Sequence, residues 1–278
     1  MTPPFVLPFR QTEMLLRAVC SKRGATRRTL TTSSTVSSFI KISVGAVPVR
    51  NEQSRRSVHQ TSDGDGVDGW CSSTIHKRSE LAATAEEQVE VYSQWASTYD
   101  EEMSKHKLTS YKSVTAKAVE FWVEPAGESA ELSVLDAGCG TGILGAYFRT
   151  QTALSGLHLT GLDLCPDMLQ RAEEKKCYEH LAAGNLKHEL PFAANQFDQA
   201  ISSGVFLPGH VGPEAITNIL RVVKPGGMFI TTVREAMYEA EKEQFDAAIE
   251  SSQGELLQDE LMAYYGDINA NVLVIRRH

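Results

Sequence analysis

Cysteine is scarce in this chain. Cys20, Cys71, Cys139, Cys165 and Cys177 are the five in 278 residues, an odd number with no C-x-x-C pair. That excludes a disulfide framework or a zinc site of the usual spacing, and the expectation is reduced thiols, an intracellular setting and no metal. No run of 18 apolar residues is present, so no membrane-spanning helix is expected. No internal repeat is visible, which excludes a solenoid. Basic residues are also scarce over most of the length. Residues 1–62 hold ten Lys and Arg against two acids, Glu13 and Glu52, while the remainder holds 17 basic and 33 acidic residues, about −16, within a total of −8. A domain that acidic is a poor partner for a polyanion, because phosphate neutralisation needs Lys and Arg. Bulk nucleic acid is therefore not expected as a partner.

The basic segment has a character of its own. Arg10, Arg17, Lys22, Arg23, Arg27 and Arg28 are interspersed with Leu15, Leu16, Val19 and Leu30 in a Ser/Thr-rich, acid-poor stretch. This is the composition of a mitochondrial transit peptide, and the expected location is the mitochondrial matrix. The alternative is an unstructured basic tail on a cytoplasmic protein. Residues 61–73, rich in Gly and Asp, read as a linker. The division expected is an extension and linker over 1–79 and one folded domain over 80–278.

In that domain the most informative run is Val134-Leu135-Asp136-Ala137-Gly138-Cys139-Gly140-Thr141-Gly142. A short apolar strand meets an acid, then three glycines at alternate positions, then a helix from Ile143 to Thr150. Glycine permits a sharp turn and lets a ligand lie against bare main chain. The helix start offers free N–H groups and a positive dipole end. The spacing is G-x-G-x-G. A dinucleotide fingerprint needs glycine at 143, where Ile143 stands, so a nicotinamide or flavin enzyme is disfavoured. The pattern favours a nucleoside that carries an amino acid in place of a pyrophosphate. His158 to Asp163 reads as a second strand ending in an acid, placed where a doubly wound nucleotide binder holds the ribose hydroxyls.

The rest alternates. Helices are expected at Leu81–Trp95 and Tyr111–Trp122, then strand 132–136, helix 142–150, strand 157–163, helix 166–176, a short strand near 179–183, strand 197–202, helix 213–222, strand 227–233 and helix 235–250. A hairpin closes the chain, Glu260–Tyr265 against Ala270–Arg276. Alternation of this kind implies a parallel sheet covered by helices on both faces. Lys224-Pro225-Gly226-Gly227 reads as a structural turn.

The segments VLDAGCGTG, LTGLDLCPDML, FDQAISSGVF and RVVKPGGMFITTV, in that order, resemble the class I S-adenosylmethionine-dependent methyltransferases over about residues 86–278. The run Tyr92 to Asp100 resembles the helix that many small-molecule members lay over the cofactor. The resemblance implies an α/β Rossmann-like, doubly wound sheet of seven strands, mostly parallel with an antiparallel C-terminal strand, plus N-terminal lid helices. It implies S-adenosyl-L-methionine as cofactor. Asp136 with the backbone of Gly138 and Gly140 would hold the methionine end, and Asp163 the ribose. Leu164 and Met168 would flank the adenine, Asn185 and Leu186 would meet its edge, and Ser203 and Tyr99 would complete the cofactor site. Family members more often carry Asp where Asn185 stands.

Methyl transfer needs alignment more than acid–base chemistry, and a base only where the acceptor carries a proton at neutral pH. His210, Tyr99 and Asp100 are the candidates, with His210 the one expected to be catalytic. The tip of the fourth strand reads Ser202-Ser203-Gly204-Val205, without the Asn/Asp-Pro-Pro-Tyr/Phe of enzymes that methylate adenine or glutamine amides, and there is no Pro-Cys for cytosine. A small-molecule acceptor is the expectation. The rival is a catalytically silent S-adenosylmethionine-binding protein that acts through a partner.

Overall fold

Two hydrophobic periods alternate along the chain and build two kinds of layer. The computed structural model describes residues 74–82, 84–122, 131–152 and 156–278. All of them fall in the unit Asp63–His278. The expectations for the basic segment and the linker, and for Cys20 and Cys71, lie outside the described residues. Helix α1 is Thr74–Leu81, α2 Ala85–Trp95, α3 Tyr99–Lys105, α4 Ser110–Glu120, α5 Ile143–Thr152, α6 Pro166–Glu174, α7 Glu214–Val222 and α8 Glu235–Ser251. The strands are β1 Leu132–Ala137, β2 Leu157–Asp163, β3 His180–Ala183, β4 Phe197–Phe206, β5 Val223–Arg234, β6 Gly254–Tyr265 and β7 Ile268–Arg277.

The strands form one seven-stranded sheet in the order β3-β2-β1-β4-β5-β7-β6. The pairs from β3 to β5 are parallel, and β7 lies antiparallel to both β5 and β6. The fold expected from the resemblance is the fold found. Central strands of a parallel sheet are covered on both faces and so read as nearly continuous apolar runs. Alternate residues still go to opposite cores. Leu135, Ala200, Phe229 and Leu273 join the layer that includes Ile216, Ile219 and Phe245, from α7 and α8. Val134, Ile201, Ile230 and Val274 join the layer that includes Val114, Ala118 and Phe148, from α4 and α5. Strand order reverses between β1 and β4, which opens a crevice at their carboxyl ends.

Four elements differ from the sequence reading. The helix expected over Leu81–Trp95 is two helices, and the first begins at Thr74, inside the stretch read as extension and linker. Thr84 breaks the run: its hydroxyl accepts from the Glu87 N–H, and the Glu87 carboxylate accepts from the Thr84 N–H, a reciprocal capping box. Helix α3 was not foreseen. The closing hairpin is longer than expected, because β6 starts at Gly254 as an edge strand. The Lys224–Gly227 turn is absorbed into β5, opposite a register shift between Phe197 and Gln199.

Candidate functional site

The crevice is a cavity of about 990 Å³, counted with its open mouth, at the tips of β1, β2 and β4 beneath α2. Its floor is the turn after β1. The N–H groups of Gly138 and Cys139 both donate to the Leu162 carbonyl, at 2.8 and 2.9 Å, which fixes the turn to β2. Gly138 and Gly140 have φ of +77° and +52°, the left-handed region that glycine enters without strain. The two are glycine for different reasons. A Cβ on Gly138 would run into Val205, whereas a Cβ on Gly140 would meet nothing within 4 Å. The bare main chain at 140 faces open space in the cavity.

Asp163, at the tip of β2, joins the two turns. Its Oδ2 accepts from Gly140 N–H at 2.8 Å, and its Oδ1 accepts from Cys165 N–H at 2.9 Å. A carboxylate has about four lone-pair positions, and with the N–H groups of Gly140, Cys165 and Leu164 on it one is left for a ligand hydroxyl. Burial pushes its pKa up, and the backbone donors of Cys165, Gly140 and Leu164 pull it back. Leu164 and Met168 line the adjoining wall, Met168 from the first turn of α6. Across from them the loop after β3 brings Asn185 and Leu186. Asn185 Oδ1 accepts from Lys187 N–H at 2.9 Å and keeps a second lone pair beside its amide N–H groups. Leu186 is held by Asn218 Nδ2, which donates to its carbonyl at 2.9 Å.

Gly138, Gly140, Asp163, Leu164, Met168, Asn185, Leu186, Ser203, Tyr99 and His210 all line this one cavity. Asp136 does not. It is fully buried behind the turn, where Tyr178 Oη donates to its Oδ2 at 2.7 Å. Burial pushes its carboxyl up to about 7, against the Tyr178 hydrogen bond, which favours the charged form. The tyrosine ring fits because Gly142, Gly145 and Gly161 leave it room. The direct role of Asp136 at the methionine end is therefore corrected: the side chain leaves the cavity and braces the turn from below.

Helix α2 and the loop to α3 form the roof. Tyr92, Trp95 and Tyr99 share one face, with ring centroids 5.9 Å apart for Tyr92–Trp95 and 4.9 Å for Trp95–Tyr99. Trp95 is buried in the domain; Tyr92 and Tyr99 reach the cavity. Burial and then the neighbouring Tyr92 push the Tyr99 hydroxyl well above its ordinary pKa, so it stays a neutral phenol and is no base. Asp100 is no base either. Its Oδ1 takes the Thr141 hydroxyl at 2.5 Å and its Oδ2 takes Lys175 Nζ at 2.6 Å, so it latches the roof to the glycine turn outside the cavity.

His210, on the loop after β4, meets the roof directly. Its Nε2 is 2.7 Å from Tyr92 Oη and its Nδ1 is 3.2 Å from the Pro208 carbonyl. Gln88 Nε2 donates to the Gly209 carbonyl at 2.7 Å, which fastens the same loop to α2. Gln88, Tyr111, Val205 and Val211 also line the cavity and were not singled out from sequence. Tyr111 sits in the first turn of α4, and Gln88 becomes visible only once α2 lies over the loop at 209. Among the described residues, no group of three or more His, Cys, Asp or Glu is arranged to hold a metal ion.

Residues 135–231 match the methyltransferase domain family. The malonyl-[acyl-carrier protein] O-methyltransferase of Pseudescherichia vulneris is 34% identical over 119 residues, 42% of this chain and 45% of that protein. Methyltransferase-like protein 27 of Homo sapiens is 32% identical over 145 residues, 51% of this chain and 56% of that protein. The chain thus spans about half the length of the curated relatives it matches. A chain from the solved complex of the Haloferax volcanii Trm112 methyltransferase activator with a methyltransferase superposes with a TM-score of 0.51 at 19% identity, covering 67% of this chain and 98% of that one. That likeness concerns the fold.

Proposed function

We propose that the methyltransferase domain this chain carries at residues 135–231 works with S-adenosyl-L-methionine and transfers its methyl group to a small-molecule acceptor. The observation that carries this reading is the Gly140–Asp163 pair. Bare main chain at 140 opens on the cavity while its N–H pins the carboxylate of Asp163 beside it. A nucleoside bearing an amino acid fits that arrangement. The backbone of Gly138 and Gly140 would lie along the methionine end, and the carboxylate of Asp163 would take the ribose. Leu164 and Met168 would flank the adenine. Asn185 would meet the adenine edge, through its amide N–H or the second lone pair of its oxygen. Tyr99 and Ser203 would close the site.

When bound, the cofactor would supply an electrophilic methyl on a good leaving group. The protein's task is then to align the acceptor and exclude water, and well-oriented reactants gain roughly 7–11 kcal/mol over the bimolecular reaction. Tyr92 and Tyr99 in the roof suit the exclusion of water. A small acceptor is supported by a domain too acidic for phosphate chains.

The test is transfer of label from S-adenosylmethionine carrying a radioactive methyl into an aqueous metabolite extract. Labelled product with the native protein and much less, at a limiting cofactor concentration, with Asp163→Ala supports the reading. Tight cofactor binding with no transfer to any fraction would favour the silent binding protein instead. From sequence alone, we also propose that residues 1–62 direct the protein to the mitochondrial matrix. A fluorescent fusion of those residues that remained spread through the cytosol would refute that part.

A further inference from the structure

We propose that Tyr92 and His210 form a proton-accepting pair at the acceptor end of the cavity, so that the acceptor is a protic nucleophile, a hydroxyl or an amine, and not a carboxylate. The inference rests on the methyltransferase reading above and deepens it.

The geometry fixes the direction of the hydrogen bonds. Pro208 offers His210 only a carbonyl, which accepts, so Nδ1 carries the imidazole proton. In a neutral ring Nε2 then has a lone pair, and Tyr92 Oη donates to it across 2.7 Å. A hydrogen bond from the buried Ser79 also reaches the Tyr92 hydroxyl and orients it. One lone pair of Tyr92 is left, and both rings line the cavity. A proton released into the cavity can pass to Tyr92 Oη while the Tyr92 proton moves to Nε2.

The surroundings keep the ring ready to accept. His210 is pushed below its ordinary pKa by burial, and the fields of Lys187, from the loop after β3, and of Arg234, at the end of β5, act the same way; the Pro208 carbonyl opposes them. Helix α1 meets this loop through the Glu80 carbonyl, which stands over Gly209. Burial, then Tyr264, Asp163 and Glu80, hold the Tyr92 hydroxyl protonated, against the Ser79 hydrogen bond. The pair therefore rests as neutral phenol and neutral imidazole, one proton short.

The proton and charge balance follows. A neutral O–H or N–H acceptor that gains a methyl group loses its proton to the pair. The positive charge that leaves the sulfonium ends on the His210 imidazolium, and the C–S bonding pair stays on sulfur. A carboxylate acceptor has no proton to give at neutral pH, so it would leave the pair nothing to accept. Among the described residues lining the cavity there is no Lys or Arg. The malonyl O-methyltransferases among the relatives are named for a substrate that carries a carboxylate, so this cavity would have diverged from theirs in what it accepts.

The experiment uses the full chain. Nitrogen-15 NMR of its histidines, with S-adenosylhomocysteine bound, should show His210 neutral at pH 7 with the proton on Nδ1, and Tyr92→Phe should shift the Nε2 resonance. A proton on Nε2 at pH 7 would overturn the proposal. S-adenosylmethionine is then supplied with an aqueous metabolite extract, and separately with malonyl-N-acetylcysteamine as the carboxylate probe. Turnover on the extract should fall on the acid side with the pKa read by NMR. His210→Gln should lower it about 100-fold or more, the usual scale for a general base, while S-adenosylhomocysteine affinity stays within about twofold. Tyr92→Phe, checked for a cooperative melt, should lose the same acid limb. Turnover of the malonyl probe at the rate of the extract, or a His210→Gln enzyme with the native rate and pH profile, would overturn the proposal, as would no turnover in protein that binds S-adenosylhomocysteine. Failure of the native protein to bind S-adenosylhomocysteine would instead sink the methyltransferase reading.

Discussion

Gly140 N–H donates to Asp163 Oδ2 at 2.8 Å, and this bond makes one structure out of two strand tips. The turn after β1 and the acid ending β2 cannot move independently. Cys165 N–H on the other carboxylate oxygen extends the tie to the start of α6.

The two glycines of the turn should respond differently to a single methyl group. Gly138→Ala drives its Cβ into Val205 and should lower the melting temperature. Gly140→Ala meets no atom within 4 Å, so its cost to folding is confined to the left-handed backbone, about 1–2 kcal/mol. Its Cβ would occupy the space proposed for the cofactor, and calorimetry should show affinity lost out of proportion to stability. Native affinity in Gly140→Ala would contradict the placement of the ligand.

Asp163→Ala should weaken S-adenosylmethionine binding by about 1.5–3 kcal/mol, the range for hydrogen bonds to a charged group. The structure adds a second effect. The substitution orphans the N–H groups of Gly140 and Cys165, so thermal stability should fall as well. Both are read from one preparation by thermal scanning and titration. Unchanged affinity in a folded variant would remove the ribose assignment.

The Asp100 latch predicts a local change in dynamics. Asp100→Asn keeps the acceptor for Thr141 but loses the ion pair with Lys175. Amide exchange over residues 85–105 should quicken, while exchange in the β6–β7 hairpin stays as it was. Cofactor should slow exchange in the same segment of the native protein, as expected of a lid. Equal protection with and without cofactor would mean that α2 and α3 are fixed structure.

Asp136 should leave a mark on the pH dependence of stability. Its folded pKa, about 7, lies above the ordinary 3.8, so the folded state binds the proton more tightly than the unfolded chain. The stability contributed by this linkage is complete below about pH 3.8 and is lost as pH rises towards 7. Asp136→Asn keeps an acceptor for Tyr178 and cannot ionise. Its melting temperature relative to the native protein should therefore climb from pH 4 to pH 7. A constant difference across that range would show that Asp136 has a normal pKa.

Much of this was legible in the chain, for identifiable reasons. The β1 turn and the acid ending β2 are local patterns in which glycine spacing and strand period coincide, so the crevice could be drawn before the fold. The α1–α2 break was also written in the sequence, as Thr84-Ala85-Glu86-Glu87, but the apolar spacing on either side hid it. Helix α3 has only seven residues, too few for a period to show. The start of β6 is an edge strand with little burial, so its alternation is blurred. Asp136 was misplaced because strand alternation turns it away from the cavity, towards Tyr178. That contact depends on three glycines brought together by β1, β2 and α5, and no local pattern records it. The Tyr92–His210 bond joins residues 118 positions apart and likewise exists only in the fold.

The central claim is that this cavity binds S-adenosyl-L-methionine, and a calorimetric titration of the full chain tests it most directly. The account predicts saturable binding of one equivalent, displaced competitively by S-adenosylhomocysteine and weakened by Asp163→Ala, with no binding of NAD. No detectable binding of S-adenosylmethionine to folded protein, or binding of NAD in its place, would contradict it.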